Sequence, residues 1–183
     1  WPGCATTHTS MVAATGLLRE HHLGADDIDR IEVALSKSDA VGFDDQEPTR
    51  LPDMQFSIPY QVSASILAGD KGPAWYSNAE HKASQIADMA KRVVLSFDEE
   101  CELAFNERHI RLSKVTVLTK SGQSFSSRVE EADRVRSLYQ VRNKFVATTS
   151  QVIDGERVDR ILDTIEDLEN VGTVSVLIGL LHW

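Results

Sequence analysis

Features that would tie this sequence to the outside of a cell or to a membrane are scarce. Only two cysteines occur, Cys4 and Cys101, with no Cys-x-x-Cys pair and no Asn-x-Ser/Thr sequon. Two cysteines are too few for a disulfide framework, and their scarcity fits an intracellular protein. No apolar run approaches the ~20 residues of a bilayer span. The longest near an end, Val174 to Leu181, is broken by Ser175 and Gly179. No signal peptide is visible. The chain opens on Trp1 with neither a methionine nor a leader, so it is expected to be a piece of something longer.

Basic charge is also in short supply. Nineteen Lys and Arg face 28 Asp and Glu, for a net charge of −9. A nucleic-acid binder needs a basic stripe. The candidates, Lys91-Arg92 and the spaced set Arg134, Arg136, Arg142 and Lys144, are flanked or interrupted by acids and read as solvated helix faces. The recurrent catalytic motifs are missing as well: no GxGxxG, GxxxxGK[ST], HExxH or GxSxG. Cofactor chemistry therefore has no direct support. Cys4 and His8 are of ligand type, but a lone Cys-x3-His lacks the other two ligands of a zinc site.

What is there is a globular composition, 42% hydrophobic and 26% charged over 183 residues, enough for one domain with an appended segment. Met11, Ala14, Thr15, Leu18 and His22 share one face of a helix. It is expected to start near Thr7 to Ser10 under a hydroxyl cap and to end at Gly24. Ile31, Val33 and Leu35 alternate as a half-buried strand. Residues 36–55 read as a long polar loop, the kind that is functional or mobile. Ile58 to Leu67 reads as a helix with Pro59 in its first turn, stopped by Gly69 to Pro73. A third helix is expected from Glu80 to Met89. Val93, Leu95 and Phe97 then form a strand, and Val115 and Val117 another. Lys120 to Gln123 reads as a hairpin turn, with Phe125, Ser127 and Val129 beyond it. After Glu130 the spacing is helical: Val135, Leu138, Tyr139 and Arg142; then Val158, Ile161, Leu162, Ile165 and Leu168 behind an Asp154 cap; then Val174, Leu177, Ile178 and Leu181. These stripes dock either on the α+β part or on something outside this chain.

Two residues invite a chemical reading. Tyr60, in a helix's first turn after a long loop, can project a phenol into a cleft as a general acid, or fill a core corner. His8, near a helix start, can handle a proton, cap the helix or face solvent. From the residues alone the sequence describes an α+β domain with a helical tail.

Four segments in order resemble the C-terminal region of the MmgE/PrpD family: Trp1-Pro2-Gly3-Cys4-Ala5-Thr6-Thr7-His8-Thr9; Gln55-Phe56-Ser57-Ile58-Pro59-Tyr60-Gln61-Val62-Ser63; the Val115 to Phe125 hairpin; and Lys144-Phe145. The resemblance implies an α+β fold, a two-layer sandwich of an antiparallel-rich sheet and helices over residues 1–133. Residues 134–183 would be helices returning to a large helical domain that this chain lacks. It implies a lyase or isomerase that uses no cofactor and no metal on small di- or tricarboxylates, by dehydration, decarboxylation or epimerisation. It also implies a homodimer in the cytoplasm or in mitochondria, with no nucleic-acid or membrane partner. Tyr60 and His8 would be catalytic; Cys4, Gln55 and Ser57 would contact substrate. A lysine two residues before Trp1, and further acidic and histidine groups in the helical domain, would complete the site, so the isolated chain is expected to be inactive. A non-catalytic binding or dimerisation module derived from the family is the alternative.

Overall fold

The computed structural model describes residues 3–68, 73–76, 80–130, 137–150 and 152–182. The chain folds as two units, Trp1–Arg134 and Val135–Trp183. The class is α+β, with a mixed four-stranded sheet in the first unit and helices in the second.

The first unit opens with a 3-10 turn, Ala5–Thr7, running into α1, His8–Glu20. No side chain caps α1. The Thr7 hydroxyl donates instead to the Cys4 carbonyl at 2.8 Å and folds the entry back on itself. The helix stops at Glu20 rather than Gly24, with His22 in the left-handed region at φ 54°. Its buried face is Met11, Ala13, Ala14 and Leu17, while His22 is exposed. The buried stripe is thus shifted from the one expected: Leu17 is buried, and Leu18 packs on the core from a half-buried position.

Strand β1, Ile28–Leu35, is central in the sheet order β2-β1-β3-β4. The partners are β2 (Val93–Phe97), β3 (Leu112–Thr119) and β4 (Ser124–Glu130). The hairpin at 120–123 is present, turned by Gly122 at φ 85°. Antiparallel pairing holds for β1 with β3 and β3 with β4, but β1 and β2 run parallel, Ile31 opposite Val93 through Leu35 opposite Phe97. Parallel neighbours need a crossover of a dozen residues or more. Residues 36–92 supply it, and the candidate site is built largely inside it.

That crossover is not one long loop. It contains α2 (Lys37–Gly42), α3 (Leu51–Phe56), α4 (Ile58–Leu67), a 3-10 turn at Pro73–Tyr76 and α5 (Glu80–Ala90). Helices of six residues, like α2 and α3, are too short to show an apolar period, which is why the sequence reads as loop there. Gln46 donates to the Val93 and Lys91 carbonyls, and Lys91 pairs with Glu47. This stretch therefore shields the outer edge of β2.

Ile31, Val33, Val93, Val115 and Val117 are fully buried on one sheet face, in one core with Met11, Ala14, Ile58 and Val62. Buried hydroxyls lock α1 to the sheet: Thr9 and Ser10 meet the Ser113 hydroxyl at 2.6 and 3.0 Å. Near the other face lies a helix not expected from the sequence, α6, Glu99–Arg108. Only Cys101 and Ala104 of it are buried, too thin a stripe to register as amphipathic; its usable signal was the Asp98 cap on the Cys101 amide.

In the second unit, α7 (Leu138–Thr149), α8 (Gly155–Glu166) and α9 (Ser175–Leu181) follow. Asp154 caps α8, and Val158, Ile161 and Leu162 are buried. Leu138, Tyr139, Ile165, Leu168, Val174, Ile178 and Leu181 are exposed, whereas Leu180, outside the expected stripe, is buried. Val135 lies outside the described residues.

Candidate functional site

The site starts at Ser57. It ends α3 and caps α4, its hydroxyl accepting the Tyr60 amide at 3.0 Å and donating to the Asp45 carbonyl at 2.5 Å. With both functions engaged and the residue 1% exposed, Ser57 holds the bend that aims α4. α4 is buried nearly all round, from Ile58 through Ser65.

Tyr60 leaves the first turn of α4 and is 8% exposed. Its hydroxyl donates to the Trp75 carbonyl at 2.8 Å. Its ring lies parallel to that of Tyr76, centroids 6.2 Å apart and planes 7° off. Burial, and then the neighbouring Tyr76, push the Tyr60 phenol above its ordinary value. Tyr76 is raised too, by burial, against a lowering hydrogen bond from Gln61. Both phenols are neutral hydrogen-bonding groups at physiological pH.

Gln61 links these parts and was not among the residues expected from sequence. Its side chain is fully buried, and its amide nitrogen donates to the Met54 carbonyl at 2.8 Å and to the Tyr76 hydroxyl at 2.9 Å. The Met54 carbonyl requires a donor, which fixes which end of the amide is nitrogen. The Gln61 oxygen lies against Gly3, where a Cβ would sit 2.4 Å from it. A polar residue in a helix buried on all sides was the signal available for Gln61. Trp75 and Tyr76 carried only their aromatic character.

The entry segment closes the cluster. The Cys4 amide donates to the Gln55 carbonyl at 3.0 Å, so Cys4 and Gln55 touch through their backbones. Both are partly exposed, and Cys4 is a free thiol. His8, half-buried, opens α1 one 3-10 turn later. Cys4, Gln55, Ser57 and Tyr60 are thus joined directly or through Gln61, and His8 is joined to them through residues 5–7. Phe56, 53% exposed, stacks on Phe43 at the rim, centroids 5.9 Å apart. Two cations of this region are engaged at the surface: Arg50 chelates Asp53, and Lys91 meets Glu47.

Among the described residues no group of three or more His, Cys, Asp or Glu could hold a metal ion, and no helix is long and apolar enough to cross a membrane. A cavity of about 460 Å³ lies elsewhere, between α8 and α9 in the second unit. It is lined by Asp154, Glu156, Arg157 and Arg160, and Arg157 is spent on the Leu180 and His182 carbonyls. None of the residues expected to act chemically lines it.

The chain is similar to the mouse (Mus musculus) cis-aconitate decarboxylase, 25% identical over 150 residues, which is 72% of this chain. It spans about 30% of that relative's length. The family model for the MmgE/PrpD C-terminal domain matches residues 1–170, nearly the whole sequence. With the ordered motifs at Cys4 to His8 and Phe56 to Tyr60, that match places the chain in the MmgE/PrpD C-terminal domain family.

Proposed function

We propose that this chain is the C-terminal part of a lyase or isomerase that acts on a small di- or tricarboxylate without metal or organic cofactor. Family membership over residues 1–170 carries the proposal, and the similarity to a cis-aconitate decarboxylase supports its reaction class. Decarboxylation, dehydration and epimerisation all move a proton at carbon next to a carboxylate. A buried phenol stays protonated at physiological pH and can give that proton to a strongly basic carbon centre; its raised value makes it a weak acid until the substrate develops negative charge beside it.

In this reading Tyr60 is the proton donor. Its proton points at the Trp75 carbonyl, so donation begins with rotation of the hydroxyl from that carbonyl to the substrate. His8 orients the substrate or relays the proton, while Cys4, Gln55 and Ser57 shape the pocket. Ser57 acts from behind, through its cap on Tyr60. Arginine or lysine must anchor the substrate carboxylates, and bidentate arginine is the usual solution. On this reading the anchoring cations include groups of the helical domain that the family resemblance implies; Arg50 and Lys91 already hold acidic partners at the surface. On that account the isolated chain does not turn over, and the whole protein works as a cytoplasmic or mitochondrial homodimer.

The second reading, a binding or dimerisation module, draws on one observation: the Tyr60 hydroxyl already has an acceptor within the fold. Incubating the whole protein with methylcitrate, cis-aconitate and iminodisuccinate, followed by proton NMR with and without EDTA, separates the two. Turnover of one acid that survives EDTA is expected. No turnover of any would favour the module.

A further inference from the structure

We propose that Gln61 is a positioning residue of this site: its buried amide sets the spacing between the Gly3–Cys4 segment and the Tyr60–Tyr76 pair, and holds the Tyr76 hydroxyl in place. The catalytic consequence rests on the lyase reading above; the structural consequence does not.

Four separate pieces of chain meet at this one amide. The end of α3 arrives as the Met54 carbonyl, the 3-10 turn as the Tyr76 hydroxyl, α4 as Gln61 itself, and the entry segment as Gly3. Both amide hydrogens are used within hydrogen-bonding distance, so the side chain cannot swing without taking the donor away from the half-buried Met54 carbonyl. The amide oxygen is buried, with no hydrogen-bond partner among the described residues, and is held against the one position where a side chain would collide with it. A clash against a flexible side chain is normally relieved by rotation; here the two donated bonds oppose it. Gly3 is therefore matched to Gln61 in size, and Cys4, next in sequence and bonded to Gln55, follows wherever Gly3 is placed.

On the other side, Gln61 donates to Tyr76, whose ring is parallel to that of Tyr60. Removing the amide takes away the hydrogen bond that Gln61 gives to the Tyr76 hydroxyl, one of the contacts that fix this ring beside Tyr60. A displacement of about 1 Å in a reacting group costs up to ~10²-fold in rate.

The test has two arms. In this chain, the alkylation rate of Cys4 by iodoacetamide reports the position of the entry segment; Cys101, 1% exposed, stays silent. Gly3→Ala should change that rate by at least about fivefold, and Gln61→Ser added to it should return the rate to within about twofold of Gln61→Ser alone, as coupled neighbours do. An unchanged rate in Gly3→Ala, or no rescue in the double variant, overturns the proposal. In the whole protein, Tyr76→Phe and Gln61→Met should each lower kcat about tenfold with KM little changed, and together no further. Additive losses, or a kcat left intact, overturn it as well. If no polycarboxylate is turned over, the lyase reading falls, and the Cys4 rates alone uphold or overturn the role of Gln61.

Discussion

At the scale of single residues, side chains of the same type separate by environment. Cys101 is 1% exposed, and burial, helped by the Asp98 carboxylate, pushes its thiol up to about 12. Cys4 is partly exposed. A thiol-specific disulfide reagent at mildly alkaline pH should thus modify Cys4 in the native chain and reach Cys101 only in denaturant, because the thiolate is the nucleophile. Rapid reaction of both thiols in the native chain would refute the assignment. Ser57 is a structural joint, and Ser57→Ala should cost about 1 kcal/mol in urea unfolding through the lost cap. Tyr60→Phe removes one hydrogen bond to a carbonyl and should cost about as much in stability. In the whole protein the same change should lower turnover by at least about 10²-fold, and a loss under about threefold would remove Tyr60 from the mechanism.

Between elements, α6 is fastened to the hairpin by charge. Lys114 of β3 bridges Asp98 and Glu100, Arg128 of β4 bridges Glu100 and Glu130, and Arg108 of α6 reaches Glu130. The bonds from Lys114 hold the Asp98 and Glu100 carboxyls below their ordinary values of 3.8 and 4.5, and the bond from Arg108 does the same for Glu130. A carboxyl lowered in the folded state adds stability above its unfolded value and loses it as pH falls through the folded one. Asp39 has the opposite sign, raised by burial, so its contribution fades as pH rises. Asp53, held low by its bond from Arg50, makes it four against one, so the urea midpoint should fall between about pH 6 and pH 3, and Asp98→Asn should flatten part of that fall. A midpoint insensitive to acid would mean that these pairs are screened out. The legibility of elements follows the same physics. α4 and the hairpin were readable because apolar residues, Pro59 and the Ser-Gly turn mark them locally. α6 and the two six-residue helices were not, since their order comes from what they pack on. Tyr60 stood out as a candidate by its motif; its partners Gln61 and Tyr76 did not, because only the folded crossover brings residues 3, 54, 61 and 76 together.

On the scale of the whole chain, the second unit leaves many large apolar side chains exposed. Leu138 is 87% exposed, Tyr139 73%, Val174 60% and Ile178 57%. Where such side chains gather into a patch they mark interfaces or aggregation sites. The chain by itself should bind a hydrophobic dye and self-associate in sedimentation, while a version ending at Arg134 should remain folded and show less of both. If the truncated version unfolds, the two units depend on each other for stability.

The parallel pairing of β1 with β2 has a consequence for how such a protein can be altered. Gln55, Ser57, Tyr60, Gln61 and Tyr76 all lie in the connection between two strands whose ladder runs from Ile31–Val93 to Leu35–Phe97. Doubling the length of such a connection costs only ~0.6 kcal/mol in closure entropy. If the proposed site is the working one, its crossover part is a replaceable insert on a fixed frame: a new connection can carry a new specificity, provided its seam with Gly3 and Cys4 is recut to match.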